Sequence, residues 1–151
     1  MIIMARIDNR LIHGQVVEGW LPSMNIDEVV VISPEYAASA LAKKMFRMSL
    51  HSGYGLQVLA PKEAAEYLKQ PNPARQFVLI GDVPSLKIMF DAGLALPKIN
   101  IGNTRYEHGK REWAPGIYLS EDDSAFLKTI KENGAALDVR ALPSSLPGRL
   151  F

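Results

Sequence analysis

A chain of 151 residues with 48% hydrophobic content can bury one sizeable core and is too short for two, so a single domain over residues 1–151 is expected. Its 17 basic and 16 acidic residues leave a net charge of +1, which gives no overall field for nucleic acid or an anionic membrane, so any anion site must be local. With no cysteine, disulfides, thiolate zinc sites and cysteine nucleophiles are excluded, in keeping with a reducing compartment.

The opening residues, MIIMARID, are interrupted by Arg6 and Asp8 too soon to be a signal peptide or a membrane span, and a cytoplasmic chain is expected. IIMARI reads as the first strand, and further β-branched runs follow at 28–33 (EVVVIS), 56–59 (LQVL), 76–81 (QFVLIG), 98–102 (KINIG), 116–120 (GIYLS) and 136–142 (ALDVRAL). Helical spacing lies between most of them: Ala37 to Met48, Lys62 to Leu68 after Pro61, and Ser85 to Ala92 after Pro84, the last closed by Gly93 and Pro97. Ser120 with Asp123 forms a capping box before Phe126, Leu127 and Ile130, and Asn133 and Gly134 stop that helix. Residues 70–74 read as a loop. The alternation predicts βαβ units, an α/β fold with one mostly parallel sheet and helices on both faces. Ligands in such sheets bind beyond the carboxyl ends of the strands.

Directly after the first strand come Asp8, Asn9, Arg10, Leu11, Ile12, His13, Gly14 and Gln15, and then Val16, Val17, Trp20 and Leu21 at helical spacing. A neutral imidazole at such a junction can attack a phosphoryl group. The free N–H groups of the helix start, the helix dipole and the Arg10 guanidinium would stabilise the product, and Gly14 would allow close backbone approach. Asp8 could hold Arg10 or fix the His13 tautomer. The same residues also suit an ordinary helix start with Asp8 or Asn9 as cap, and local chemistry alone does not choose.

Other features carry less. His51 and His108 show no ligand spacing with His13, so no metal site is expected. Gly53, Tyr54 and Gly55 lack the third glycine of a dinucleotide loop, where Val58 stands. Lys43, Lys44 and Arg47 read as a solvated helix face, Met45 and Met48 as core or interface filler, and Trp20 and Trp113 as packing residues. Ser33 and Gly102 to Thr104 follow strands and should open onto the same edge as His13, where the Asn103 amide or a backbone N–H could donate to phosphate.

The run ARIDNRLIHGQVVEGW resembles the active-site signature of IIB components of the mannose/fructose/sorbose family of the bacterial phosphoenolpyruvate-dependent sugar phosphotransferase system. VVVISPEYA, INIGN at 99–103 and the helix after LSEDD extend the resemblance over nearly the whole chain. It implies a three-layer α/β/α sandwich, with His13 as phosphoryl acceptor inside the Arg10 to Gln15 block and no metal or nucleotide cofactor. The implied donor is a IIA protein or domain, and the acceptor a sugar held by membrane IIC and IID subunits that the chain joins peripherally. The resemblance leaves the sugar undefined, a homodimer open, and a regulatory phosphoacceptor without sugar transfer as the alternative; a nucleotide-binding α/β module is a third reading. Three positions depart from the family pattern: Asn9 replaces an acidic residue, Asp82 stands where the family offers Lys or Thr, and the 49–55 turn is different.

Overall fold

The computed structural model describes residues 1–151 and contains the central sheet that the β-branched runs predict. Strands β1 (Ile2–Asp8), β2 (Glu28–Ile32), β3 (Gly55–Leu59), β4 (Gln76–Ile80), β5 (Lys98–Asn103) and β8 (Ala136–Asp138) pair in the order β3-β2-β4-β1-β5-β8, every pair parallel. All five residues of β4 are buried, as befits a strand covered on both faces. Alternate residues point to opposite layers. Ile7, Val30, Val78 and Ile99 pack beneath helices α4 (Pro61–Lys69), α5 (Val83–Asp91) and α6 (Glu121–Glu132). Met4, Val29, Val31 and Phe77 pack beneath the first helix. That helix, α1, starts as a π-wound segment Gln15–Trp20 and ends in the α-helical turn Leu21–Ser23. The result is a three-layer α/β/α sandwich with the carboxyl ends of β1, β2, β4 and β5 along one edge.

Four local expectations are corrected. The helix read over 37–48 is two: α2 (Pro34–Ala37), capped by Ser33 accepting from the Tyr36 N–H, and α3 (Ala40–Ser49), capped by Ser39 accepting from the Ala42 N–H. Each serine halts the chain in extended backbone before restarting it. The run at 116–120 lies outside the main sheet. Its β7 (Ile117–Leu119) pairs antiparallel with β6 (Arg111–Ala114), a strand too short and polar to show a period. Thr104 sutures this hairpin to β5: its N–H donates to Gly116 O at 2.9 Å and its hydroxyl to Tyr118 O at 2.7 Å. The run at 136–142 stops pairing at Asp138, and the chain crosses α1 at Ala141 to Pro143 before Leu150 and Phe151 return to the layer of α6. Finally, neither Asp8 nor Asn9 caps the first helix, whose start at Gly14 has no side-chain cap.

Candidate functional site

β1 ends on the alternation Met4, Arg6, Asp8, three side chains on one face of the sheet beneath α1. Both Arg6 and Asp8 are fully buried. The chain then turns sharply: the Leu11 N–H donates to Asp8 O at 3.0 Å, and Leu11 itself adopts a left-handed φ of 58° with its side chain buried. A non-glycine residue in that region costs about 1–3 kcal/mol and persists only where surroundings hold it. Here the reversal brings His13 back over Asp8.

Asp8 is the hub. Its Oδ2 accepts from Arg6 Nη2, Arg10 Nη2 and His13 Nε2, each at 3.0 Å, and its Oδ1 accepts from Arg10 Nε at 3.0 Å and the Arg10 N–H at 3.1 Å. Sequence reasoning left two roles for Asp8, holding Arg10 or orienting His13; one carboxylate does both. Gln15 joins through Oε1, which accepts from Arg10 Nη2 at 3.0 Å. Burial would push the Asp8 carboxyl up, but the hydrogen bonds from Arg10 and the Arg6 guanidinium hold it below its ordinary 3.8. Because Asp8 is ionised, the contact with His13 is an N–H donated by Nε2, and Nδ1 keeps its lone pair. Burial pulls the His13 pKa below 6.5 against the attraction of Asp8, with Arg10 and Arg6 adding to the fall, so the ring is neutral at neutral pH.

The amides of Ile12, His13, Gly14 and Gln15 donate to no protein acceptor, whereas those of Val16 and Val17 both reach His13 O. Four consecutive free N–H groups at a helix start make an anion cradle. A Cβ built on Gly14 would meet nothing within 4 Å, so that side of the cradle is open.

Other nominated residues have structural partners. The Asn103 amide donates to Asn9 Oδ1, and the Asn9 N–H to Asn103 O at 3.2 Å, so Asn103 anchors the loop to β5 and Asn9 is its counterpart. Ser33 is committed as the α2 cap and Asp82 as the α5 cap, accepting from the Ser85 N–H at 2.8 Å. Ser33, Asp82 and Asn9 border a cavity of about 320 Å³ at this edge, which His13 does not line. The 49–55 turn leads into the start of β3, at the opposite edge of the sheet. His51 and His108 are exposed.

What sequence reading missed is the layer behind Asp8. Arg6 also donates to Asn100 Oδ1 and, at 3.1 Å, to Arg140 O, while Asn100 donates to Asp138 Oδ2 at 2.9 Å, an oxygen shared with Arg140 Nε at 3.0 Å. The Arg6 guanidinium lies 5.3 Å from the centre of the Trp20 ring. The one signal available was a charged pair two residues apart in an otherwise apolar strand.

Residues 2–150 match the family described as the sorbose subfamily IIB component of the PTS system. The chain is 30% identical over 153 residues to the sorbose-specific EIIB component of Lacticaseibacillus casei, an alignment covering 96% of this chain and 92% of that one. It is 27% identical over 142 residues to the mannose-specific EIIAB component of Escherichia coli (strain K12), covering 93% of this chain and 44% of that longer protein. Its fold superposes on the crystal structure of the N-acetylgalactosamine-specific IIB component 1 from Escherichia coli with a TM-score of 0.91, at 22% identity over 99% of both chains.

Proposed function

The chain belongs to the sorbose-subfamily IIB components of the sugar phosphotransferase system, whose work is phosphoryl transfer in sugar uptake, and from that premise we propose that His13 carries the phosphoryl group on Nδ1. The observation that carries the assignment is the 3.0 Å contact between His13 Nε2 and Asp8 Oδ2, which leaves only Nδ1 with a free lone pair. The donor is a phosphohistidine on a IIA protein or domain, a pairing supported by the EIIAB relative, in which a segment like this chain is part of a longer protein. Nδ1 attacks phosphorus, the donor's P–N bond breaks, and its electron pair returns to the donor ring. Nε2 keeps its proton, so the positive charge that develops on the His13 ring is met by Asp8. The phosphoryl oxygens settle among the free amides of residues 12–15 and the Arg10 guanidinium, which Asp8 and Gln15 hold in place. The second transfer is to a sugar hydroxyl presented by membrane IIC and IID subunits. On this reading the chain works in the cytoplasm against those subunits; none of its own helices is long and apolar enough to cross a membrane.

The test is to incubate the protein with phosphoenolpyruvate, the general phosphotransfer proteins and the cognate IIA protein, and to map the label by mass spectrometry. A single label on His13 is expected, with none on a folded His13→Gln variant, which lacks a ring nitrogen to attack. Nitrogen NMR of the labelled ring then separates Nδ1 from Nε2. A label at another residue would overturn the site, and one on Nε2 the role given to Asp8.

A further inference from the structure

Helix α3 is amphipathic, yet none of its ten residues is buried. Leu41, Met45 and Met48 are 69%, 58% and 86% exposed, and their spacings of four and three residues align them in one stripe. The helix is held by Phe46, which packs edge-on against Tyr36 with ring centres 5.5 Å apart, and by Arg47, which donates to Tyr54 O at 2.7 Å and His51 O at 2.9 Å. Between the stripe and the His13 loop runs a groove of about 400 Å³ walled by Asn9, Arg10, Tyr36, Met45, Phe46 and Arg105. No carboxylate lines it. Lys43 and Lys44 stand exposed on the same helix. Three large apolar side chains on one short helix, two of them adaptable methionines, are the composition of a face that is covered in use.

Resting on the phosphocarrier reading, we propose that this groove and the α3 stripe are the docking surface for the phosphorylated IIA donor, which meets them with an apolar patch ringed by acidic side chains. Arg10 belongs to both places. It walls the groove, and it is hydrogen-bonded to the Asp8 carboxylate that holds His13. A protein that delivers a phosphoryl group to Nδ1 must cover Arg10, and so overlies the near end of the groove. Charge then selects the donor over the membrane subunits. The donor arrives carrying a phosphoryl dianion towards a groove that holds Arg10 and Arg105 and no acid. When the chain later meets the sugar, the phosphoryl group is already its own and neutralises part of that positive field. The same change weakens the grip on an acid-rimmed donor once transfer is complete, which favours release in the productive direction.

Two variants test this at exposed positions: Leu41→Glu with Met48→Glu, and Lys43→Glu with Lys44→Glu, each checked for fold by circular dichroism. Initial rates of transfer are measured against the concentration of cognate IIA protein, phosphorylated with phosphoenolpyruvate and the general phosphotransfer proteins. The expected result is a KM for the donor raised about tenfold or more, with the limiting rate changed far less. Unchanged KM in both variants overturns the docking proposal. So does a raised KM only in the second step, measured with membranes containing IIC and IID, since the face would then serve the membrane subunits. Wild-type cosedimentation with phosphatidylglycerol vesicles that both variants lose would also overturn it, in favour of a lipid surface. Labelling of the wild type by phosphoramidate, which needs no docking, tests the carrier reading separately: absence of label on His13 from either donor overturns that reading itself.

Discussion

Both oxygens of Asp8 face cations, and the two guanidiniums differ in kind. Arg10 is part-exposed and, though held by Asp8 and Gln15, keeps Nη1 open to the proposed phosphoryl group, whereas Arg6 is fully buried and fixed from every side by Asp8, Asn100, the Arg140 carbonyl and the Trp20 ring. Arg6 is therefore a positioning residue, set to keep Asp8 ionised and aimed at His13. Replacing it with methionine leaves a buried carboxylate with half its compensation, and about 3 kcal/mol of stability should be lost. The ring of His13 should respond too. Arg6 helps hold its pKa down, so Arg6→Met should raise that pKa as Asp8 turns from a shared partner into one more available to the imidazolium. Arg6→Lys should recover only part of either effect, because an ammonium cannot span Asp8, Asn100 and the Arg140 carbonyl together. Denaturant unfolding and NMR titration of His13 check both; unchanged stability together with an unchanged titration would remove Arg6 from the site.

At the level of elements, two glycines with opposite surroundings separate structural from chemical demands. Gly102 on β5 lies against Arg6 of the neighbouring β1, and a Cβ there would land on the guanidinium, which has no room to move. Gly102→Ala should cost about 1–3 kcal/mol by overpacking. Gly14 has a helical φ of −52° and open space around it, so Gly14→Ala should leave stability equal or slightly higher. Acceptance of phosphoryl should nevertheless slow in Gly14→Ala, since the added methyl enters the cradle between the free amides; thermal melts beside transfer rates would show it, and unimpaired transfer would place the phosphoryl group elsewhere. Gly14 and His13 were legible because they sit in one short run with Arg10 and Gln15. The core strands were legible because burial on both faces imposes unbroken apolar runs such as Phe77 to Ile80. Arg6 was read only as a charge that breaks the opening apolar segment, since its partners Asn100 and Arg140 lie 94 and 134 residues away and meet it only through the order β1-β5-β8. The break between α2 and α3 was missed because apolar spacing continues across Ser39, while the β6–β7 pair is too short to carry any period.

Across the whole molecule, the same groups that build the site make stability depend on pH in two separate steps. The His13 pKa lies below 6.5 in the folded protein, so as pH falls below 6.5 the unfolded chain takes up its proton first. Stability is then lost until the folded pKa is passed, at no more than about 1.4 kcal/mol per pH unit for one proton. The second step belongs to carboxylates. Asp138, like Asp8, is pushed up by burial but held below 3.8 by stronger opposing contacts, here the hydrogen bonds from Asn100 and Arg140. Their contribution is complete above about 3.8 and disappears as pH falls through the lower folded values, where the unfolded chain again binds more protons. The unfolding free energy measured in denaturant from pH 8 to pH 2.5 should therefore fall first below 6.5, an upper stage carried by His13, and again below about 3.8, a lower stage carried by the carboxylates. His13→Gln should remove the upper stage while leaving the lower, and Asp138→Asn should make the lower stage shallower on a reduced overall stability, because it leaves the Arg140 guanidinium without its carboxylate partner. An upper stage that survives in His13→Gln would assign it to other groups and break the link between the pKa of the proposed nucleophile and the stability of the fold around it.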